Sequence, residues 1–291
     1  MSSLFPPYAF QPHEEPRHGF MRVLGEIADR AQILTTRSCE PRVELIHQGR
    51  LLFKRLRALL WYGRPALSHA AYTRVRTRLR HAAGLLSDLR DLAVARETLE
   101  ELGRKSHARA RHQAAIAHVL RVLPDHSAAG RKEQIAMRRT LKKAMMMLCQ
   151  SVSEIKRSAV KGNAWPNPAK RVEKAFLAMR QAEKEAGRTE GDADFHTWRK
   201  KAKTFLYLLE LTHSKPNCRM ASFMSRVGKL QSELGDYHDD VVVEERLRHM
   251  TPRTSPARHV ILLLARRKTA SRKKLGKLAQ GIDAFFKSAQ G

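Results

Sequence analysis

Apolar residues recur at three- and four-residue steps along almost the whole chain. Phe20, Val23, Leu24, Ile27, Ala31 and Leu34 open the pattern, and that spacing lays one apolar stripe along a helix. Pro41 suits the first turn of a second helix. Its apolar face is Ile46, Leu52, Phe53, Leu56, Leu59 and Leu60, and Gly63 and Pro65 end it. Residues 66–102 read as one long helix built on Leu79, Leu85, Leu86, Leu89 and Leu92. Further helices are expected over 107–123 and 131–160, with Met145-Met146-Met147 as core filler.

The run from Gly162 to Pro168 breaks the pattern at the halfway point. A helix is then expected over 169–186, followed by a polar loop from Gly187 to Asp194 and a helix ending near Thr212. Helices over 219–234 and on to about Arg248 follow, and a last one comes after Pro256. No alternating β-branched run interrupts, so the fold class is all-α. Residues 1–16, with Pro6, Pro7, Pro12 and Pro16, read as an irregular arm.

The polar positions carry a repeat. His47, Arg50 and Lys54 stand at i, i+3 and i+7, and His196, Arg199 and Lys203 repeat that spacing 149 residues later. Such residues share one helix face. Like charges there repel by a few tenths of a kcal/mol per pair, so a ridge built this way twice calls for something negative. Arg55, Arg57 and Lys200 extend the two ridges.

A second motif also repeats. Leu86-Ser87-Asp88-Leu89-Arg90-Asp91 aligns with Leu234-Gly235-Asp236-Tyr237-His238-Asp239 at an offset of 148, and at that offset Arg78 matches Arg226 and His81 matches Lys229. The pattern describes an internally duplicated pair of helical bundles with pseudo-twofold symmetry, each presenting a basic face. The repeats are 17–162 and 165–291. His118 and Arg266 also match at 148, and Arg139, Lys142 and Lys143 could join the ligand set.

Charge sharpens the ligand class. Lys and Arg number 56 against 28 Asp and Glu, a net charge of +28 with a pI near 10.8. The partner is then a polyanion: nucleic acid, an anionic surface or a phosphate polymer. Aromatic residues are only 6%, and no aromatics alternate with the ridge cations to stack bases. Sequence-independent nucleic-acid binding is the runner-up. Cys39, Cys149 and Cys218 are odd in number and have no CxxC spacing, which points to a reduced, cytoplasmic setting with neither disulfides nor zinc. The start lacks a signal-peptide pattern, and the longest apolar run, Val260–Ala265, is too short to span a bilayer.

Catalysis is the third option. Glu44-x-x-His47 has the di-iron spacing, but Ala193 replaces the glutamate in the second copy. His238-Asp239 has the form of a metal phosphohydrolase pair, but Arg90 replaces the histidine in the first copy, and arginine does not ligate metal. Asp91 and Asp239 read as residues that orient cations or cap helices. No metal, cofactor or catalytic site is expected.

The two motifs together resemble the CHAD family, whose pattern is H-x-x-R-x-x-x-[RK]-[RK]-x-R followed by L-G-x-x-[RH]-D, both duplicated. Thr204, Leu206 and Ser87 depart from it. The resemblance covers the chain from about residue 20. It implies two four-helix bundles around a basic central cavity that binds inorganic polyphosphate without catalysis, and association with polyphosphate granules. The histidines would add a pH-dependent contact, since nearby cations disfavour the imidazolium and a bound polyanion restores it.

Overall fold

The computed structural model describes residues 8–36, 42–88, 91–105, 110–123, 131–159, 165–249 and 255–288. Among these are ten α-helices, one 3-10 turn and no strand. The helices are α1 (Pro16–Thr36), α2 (Arg42–Tyr62), α3 (His69–Asp88), α4 (Asp91–Lys105), α5 (Ala110–Val122), α6 (Arg131–Ser158), α7 (Pro168–Thr189), α8 (Asp192–Thr212), α9 (Cys218–His249) and α10 (Ser255–Ser288). The 3-10 turn Arg64–Ala66 follows α2, with Pro65 in its first turn. No helix among the described residues is long and apolar enough to cross a membrane.

Local chemistry sets several of the helix starts. Asn167 caps α7 by accepting from the amides of Ala169 (2.8 Å) and Lys170 (3.3 Å), with Pro168 first in the helix. Asn217 caps α9 through the Met220 amide at 2.8 Å. Glu190 leaves α7 with φ of 51°, the left-handed conformation that ends helices.

Two expected boundaries move. The single helix expected over 66–102 begins only at His69 and is described as α3 to Asp88 and α4 from Asp91, with residues 89–90 outside the described part. The break expected after 234 is absent, because the buried row Val227, Leu230, Leu234, Tyr237, Val241 carries α9 past Gly235.

Contacts divide the chain into two compact units. The first comprises Met1–Leu89, Ala129–Ala178 and Lys203–Ala221, and the second Arg90–Ala128, Met179–Ala202 and Ser222–Gly291. In the first, α6 packs on α1 and α3, and α2 packs on α1 and α3. Phe20, Leu24, Ile27, Phe53, Leu56, Leu79, Leu148 and Ile155 fill its core. Gly49 lets α2 approach: a Cβ there would sit 3.2 Å from Leu141 and Met145 and 3.3 Å from Leu86. Of the methionine run, Met145 is core, whereas Met146 faces solvent. The arm is anchored at its end, where Tyr8, Ala9 and Phe10 are buried and the Phe10 amide donates to Leu211 at 2.6 Å. Residues 1–7 lie outside the described part.

Gly63 is held by sterics, not by its backbone angles, since its φ is −77°. A Cβ there would lie 2.5 Å from Phe20 Cε2 and 2.7 Å from Cζ, and Phe20 is fully buried. Gly63→Ala is expected to destabilise the protein by about 1–3 kcal/mol through overpacking, read as a lower urea midpoint. An unchanged midpoint would show that Phe20 yields freely.

In the second unit, Leu99, Ile116, Val119, Leu247, Val260 and Leu264 form the apolar centre, where α4 and α10 close on α5. Ion pairs are buried beside it. Arg267 forks onto Asp240, which is 1% exposed. Ser271 donates to Glu233 at 2.8 Å, and Lys274 pairs with the same carboxylate.

Candidate functional site

Helix α2 presents His47, Arg50, Lys54 and Arg57 within a narrow sector, since 3.6 residues per turn bring i, i+3, i+7 and i+10 nearly into line. Arg50 and Lys54 are half-buried; His47 and Arg57 are exposed. Arg50 Nη1 donates to the Leu86 carbonyl at 3.3 Å, which fixes the register of α2 against α3. Arg57 interacts with Arg80 and Arg76 of α3, and these, one turn apart, share a face of that helix. Burial pushes the Arg57 guanidinium below its ordinary value, and Arg80 and then Arg76 push it further. Arg57, Arg76 and Arg80 are all exposed by area, so water softens both causes. The charge of Arg57 on α2 is thus opposed by two guanidiniums of α3.

The expected α3 residues go elsewhere. Arg78 pairs with Glu154 of α6 at 2.8 Å, beside Arg74, also at 2.8 Å. Burial would raise the Glu154 carboxyl, but hydrogen bonds from Arg74 and Arg78 outweigh it and hold the group below the usual range. His81 is exposed, about 140° around α3 from Arg76. Arg55 also leaves the ridge: its guanidinium lies 4.3 Å from the Tyr8 ring centre, and it acts on Glu210. One residue from Lys54 is a turn of about 100°, which takes Arg55 to the docked arm.

Helix α8 carries the second ridge. His196 and His238 of α9 share a hydrogen bond between their Nδ1 atoms at 3.2 Å, with ring centres 4.5 Å apart. One Nδ1 donates and the other accepts, so the two rings hold complementary tautomers. Arg199 and Lys203 are half-buried and Lys200 exposed.

The start of α8 is held by an ionic cluster. Tyr237 donates to Asp192, Lys268 donates to Asp192 at 2.8 Å and pairs with Glu244 at 2.7 Å, and Arg272 donates to the Tyr237 hydroxyl at 2.9 Å. Phe195 stacks on Tyr237 at 4.6 Å. Burial would raise Asp192, but hydrogen bonds from Lys268 and Tyr237 lower it overall. Hence Tyr237, inside the second acidic motif, positions the ridge helix. Next to Asp239, Asp240 accepts from the half-buried Arg267. The side chains around Asp91 lie outside the described residues.

The remaining expected ligands lie on α5, α6, α9 and α10. Arg226 approaches Gly281 of α10 and is exposed, as is Lys229, which stands about 180° around α9 from His238. Arg139 and Lys143 line the outer side of α6 with exposed Met146, opposite the side where Leu141 meets α2. His118 is half-buried on α5 and Arg266 exposed on α10. No cluster of three or more metal-ligating side chains exists among the described residues.

Sequence matching missed Arg76 and Arg80 because it sought residues common to both copies. Their counterparts at the 148 offset are Met224 and Gly228. The i, i+4 spacing of the two arginines was the available signal, but only helix register aims them at Arg57.

Comparison with known proteins points to one family. The CHAD domain model matches residues 24–248. The crystal structure of the CHAD domain from the plant Ricinus communis superposes with a TM-score of 0.68 at 16% identity, over 95% of this chain and 94% of that one. PptA from Streptomyces chartreusis gives 0.61 at 16% identity, over 92% and 97%. No curated protein matches the chain.

Proposed function

This chain belongs to the CHAD domain family, and from that premise we propose that it is a binding domain for inorganic polyphosphate, not an enzyme. The observation that supports the reading is the row of His47, Arg50, Lys54 and Arg57 along one side of α2, matched by His196, Arg199 and Lys203 on α8, with the charges of Arg80 and Arg76 acting against Arg57. A phosphate chain would relieve that repulsion by accepting forked hydrogen bonds from the guanidiniums, with Arg50 and Lys54 continuing the row along α2. His196, Arg199, Lys200 and Lys203 would act in the same way on α8, one ridge from each sequence repeat. The same reading places the protein at polyphosphate granules in the cytoplasm.

Nucleic acid fits less well. Trp61, one turn beyond Arg57, already has its ring covered by the Arg171 guanidinium at 3.8 Å. Tyr72 on α3 lies under Arg64 at 5.2 Å. Each of these rings thus carries a guanidinium on a face, while base recognition needs open stacking faces.

A competition assay at physiological salt decides between the two. Labelled polyphosphate is expected to stay bound when double-stranded DNA or RNA is added at equal phosphate concentration. Displacement under those conditions would transfer the function to nucleic acid.

A further inference from the structure

Four of the expected ligands, Arg78, His81, Arg139 and Lys143, fall on one surface of the first unit. Helix α6 buries Leu141, Met145, Leu148, Val152 and Ile155, and contacts fix what its two edges meet. On one edge Cys149 Sγ lies 3.9 Å from the Ala28 carbonyl of α1. On the other, Glu154 accepts from Arg74 and Arg78 of α3, each at 2.8 Å. At about 100° per residue, the arc left over holds Ile135, Arg139, Lys142, Lys143, Met146 and Arg157. All six are exposed, and they span roughly 33 Å of helix at 1.5 Å per residue.

The charge on this arc has one sign. Glu154 is the one acid of α6 among the described side chains, and it is held by two arginines at the α3 edge. Asp29 of α1 follows Ala28, beyond the Cys149 edge. His81 stands within about 60° of Arg74 and Arg78 around α3, so it extends the face on the α3 side. Two large apolar side chains sit among the cations: Ile135 is 45% exposed and Met146 55%.

The pairing of cations with exposed apolar groups selects the partner. A phosphate polymer or a nucleic-acid backbone leaves Ile135 and Met146 without a contact. A helical peptide is read through apolar anchors at i, i+3, i+4 and i+7, whereas these two side chains are 11 residues apart. A bilayer with anionic head groups satisfies both features. Its negative potential attracts the cations, and single apolar side chains enter the head-group boundary wherever they stand. No helix among the described residues is long and apolar enough to cross a membrane, so the contact is peripheral.

We propose that the outer face of α6, flanked by α3, is a docking surface for an anionic lipid bilayer. Arg139, Lys142, Lys143 and Arg157 meet the head groups, and Met146 and Ile135 enter between them. This does not depend on the polyphosphate reading, which rests on the ridges of α2 and α8.

The test is sedimentation of the full chain, at physiological salt, with vesicles of equal parts phosphatidylcholine and phosphatidylserine or of phosphatidylcholine alone. Wild type is expected to bind the anionic vesicles only. Arg139→Gln/Lys142→Gln/Lys143→Gln should weaken that binding by about a hundredfold, since each cation near an anionic leaflet contributes about fivefold. Arg258→Gln/Lys273→Gln/Lys277→Gln removes as much charge from exposed positions of α10 and should cost no more than about twofold. Met146→Ser/Ile135→Ser keeps every charge and should weaken binding severalfold. Circular dichroism checks that each variant is folded. Failure of wild type to bind the anionic vesicles ends the proposal. Equal losses in the α6 and α10 variants overturn it by showing that net charge alone attracts the vesicles. Unchanged binding in Met146→Ser/Ile135→Ser removes the bilayer as the occupant of this face. An α6 variant that keeps the vesicles but loses polyphosphate or DNA assigns the cations to that polymer instead.

Discussion

Arg57→Glu is expected to make the ligand-free protein more stable and to weaken polyphosphate binding by at least about thirtyfold, close to 2 kcal/mol. The two effects have one source. In the wild type Arg57 faces Arg80 and Arg76 and is pushed below its ordinary value by burial and by their charges. A glutamate there meets two guanidiniums of opposite sign, so repulsion becomes attraction. The gain is modest, because ion pairs near water contribute about 0–1 kcal/mol. Phosphate suffers the reverse: it loses one fork and meets a new negative charge. The salt slope of log affinity should also flatten, since each phosphate neutralised contributes about 0.7–0.9 to it. Thermal melts with and without polyphosphate read both quantities. A residue with a purely structural role would lose stability on charge reversal, and that outcome would remove Arg57 from the site.

The largest stability loss is expected far from the ridge, at Arg267. Arg267→Met leaves Asp240, 1% exposed, without the fork that neutralises it. Breaking a buried pair on one side costs about 3–5 kcal/mol, here roughly 10 °C in melting temperature for a chain of this size. The pH dependence carries the diagnosis. Burial raises the Asp240 carboxyl above its usual 3.8, and Arg267 partly opposes this. Without the arginine the folded value climbs further. A carboxyl with a raised folded value destabilises the fold once ionised, and that cost disappears as pH falls through the folded value. The deficit of the variant should therefore be largest near pH 8 and shrink towards pH 5. Adding Asp240→Asn should restore much of the loss at pH 8, because an amide needs no counter-charge. A deficit constant across pH would assign it to lost packing instead.

Much of the molecule could be read in advance, and the reasons are local. The three- and four-residue recurrence of Leu24, Ile27, Leu56, Leu79, Leu148 and Leu264 specifies helices whatever they pack against. Proline, glycine and asparagine placed several ends, as Asn167-Pro168 did for α7. The places where local reading failed are instructive. A helix was expected to end at 234, but buried Tyr237 and Val241 keep α9 continuous. Met146 sits in an apolar run yet faces water.

The candidate site divides in the same way. The ridges on α2 and α8 follow from helical period alone, so His47, Arg50, Lys54, His196, Arg199 and Lys203 could be grouped from the sequence. What stands opposite each ridge depends on which neighbouring helix packs there and in what register, and these are long-range properties. Arg78 and Arg76 differ by two positions in sequence and about 200° around a helix; one meets Glu154, the other Arg57. The same holds for His238, which pairing with His196 turns from a metal-motif fragment into a ridge partner, and for Tyr237, which locks the start of α8 through Asp192. Sequence determined the helices, their charge and their family, because those are written in period, composition and motif. Tertiary structure decided which cations are neutralised and which are left to repel, because that depends on side chains brought together from distant segments.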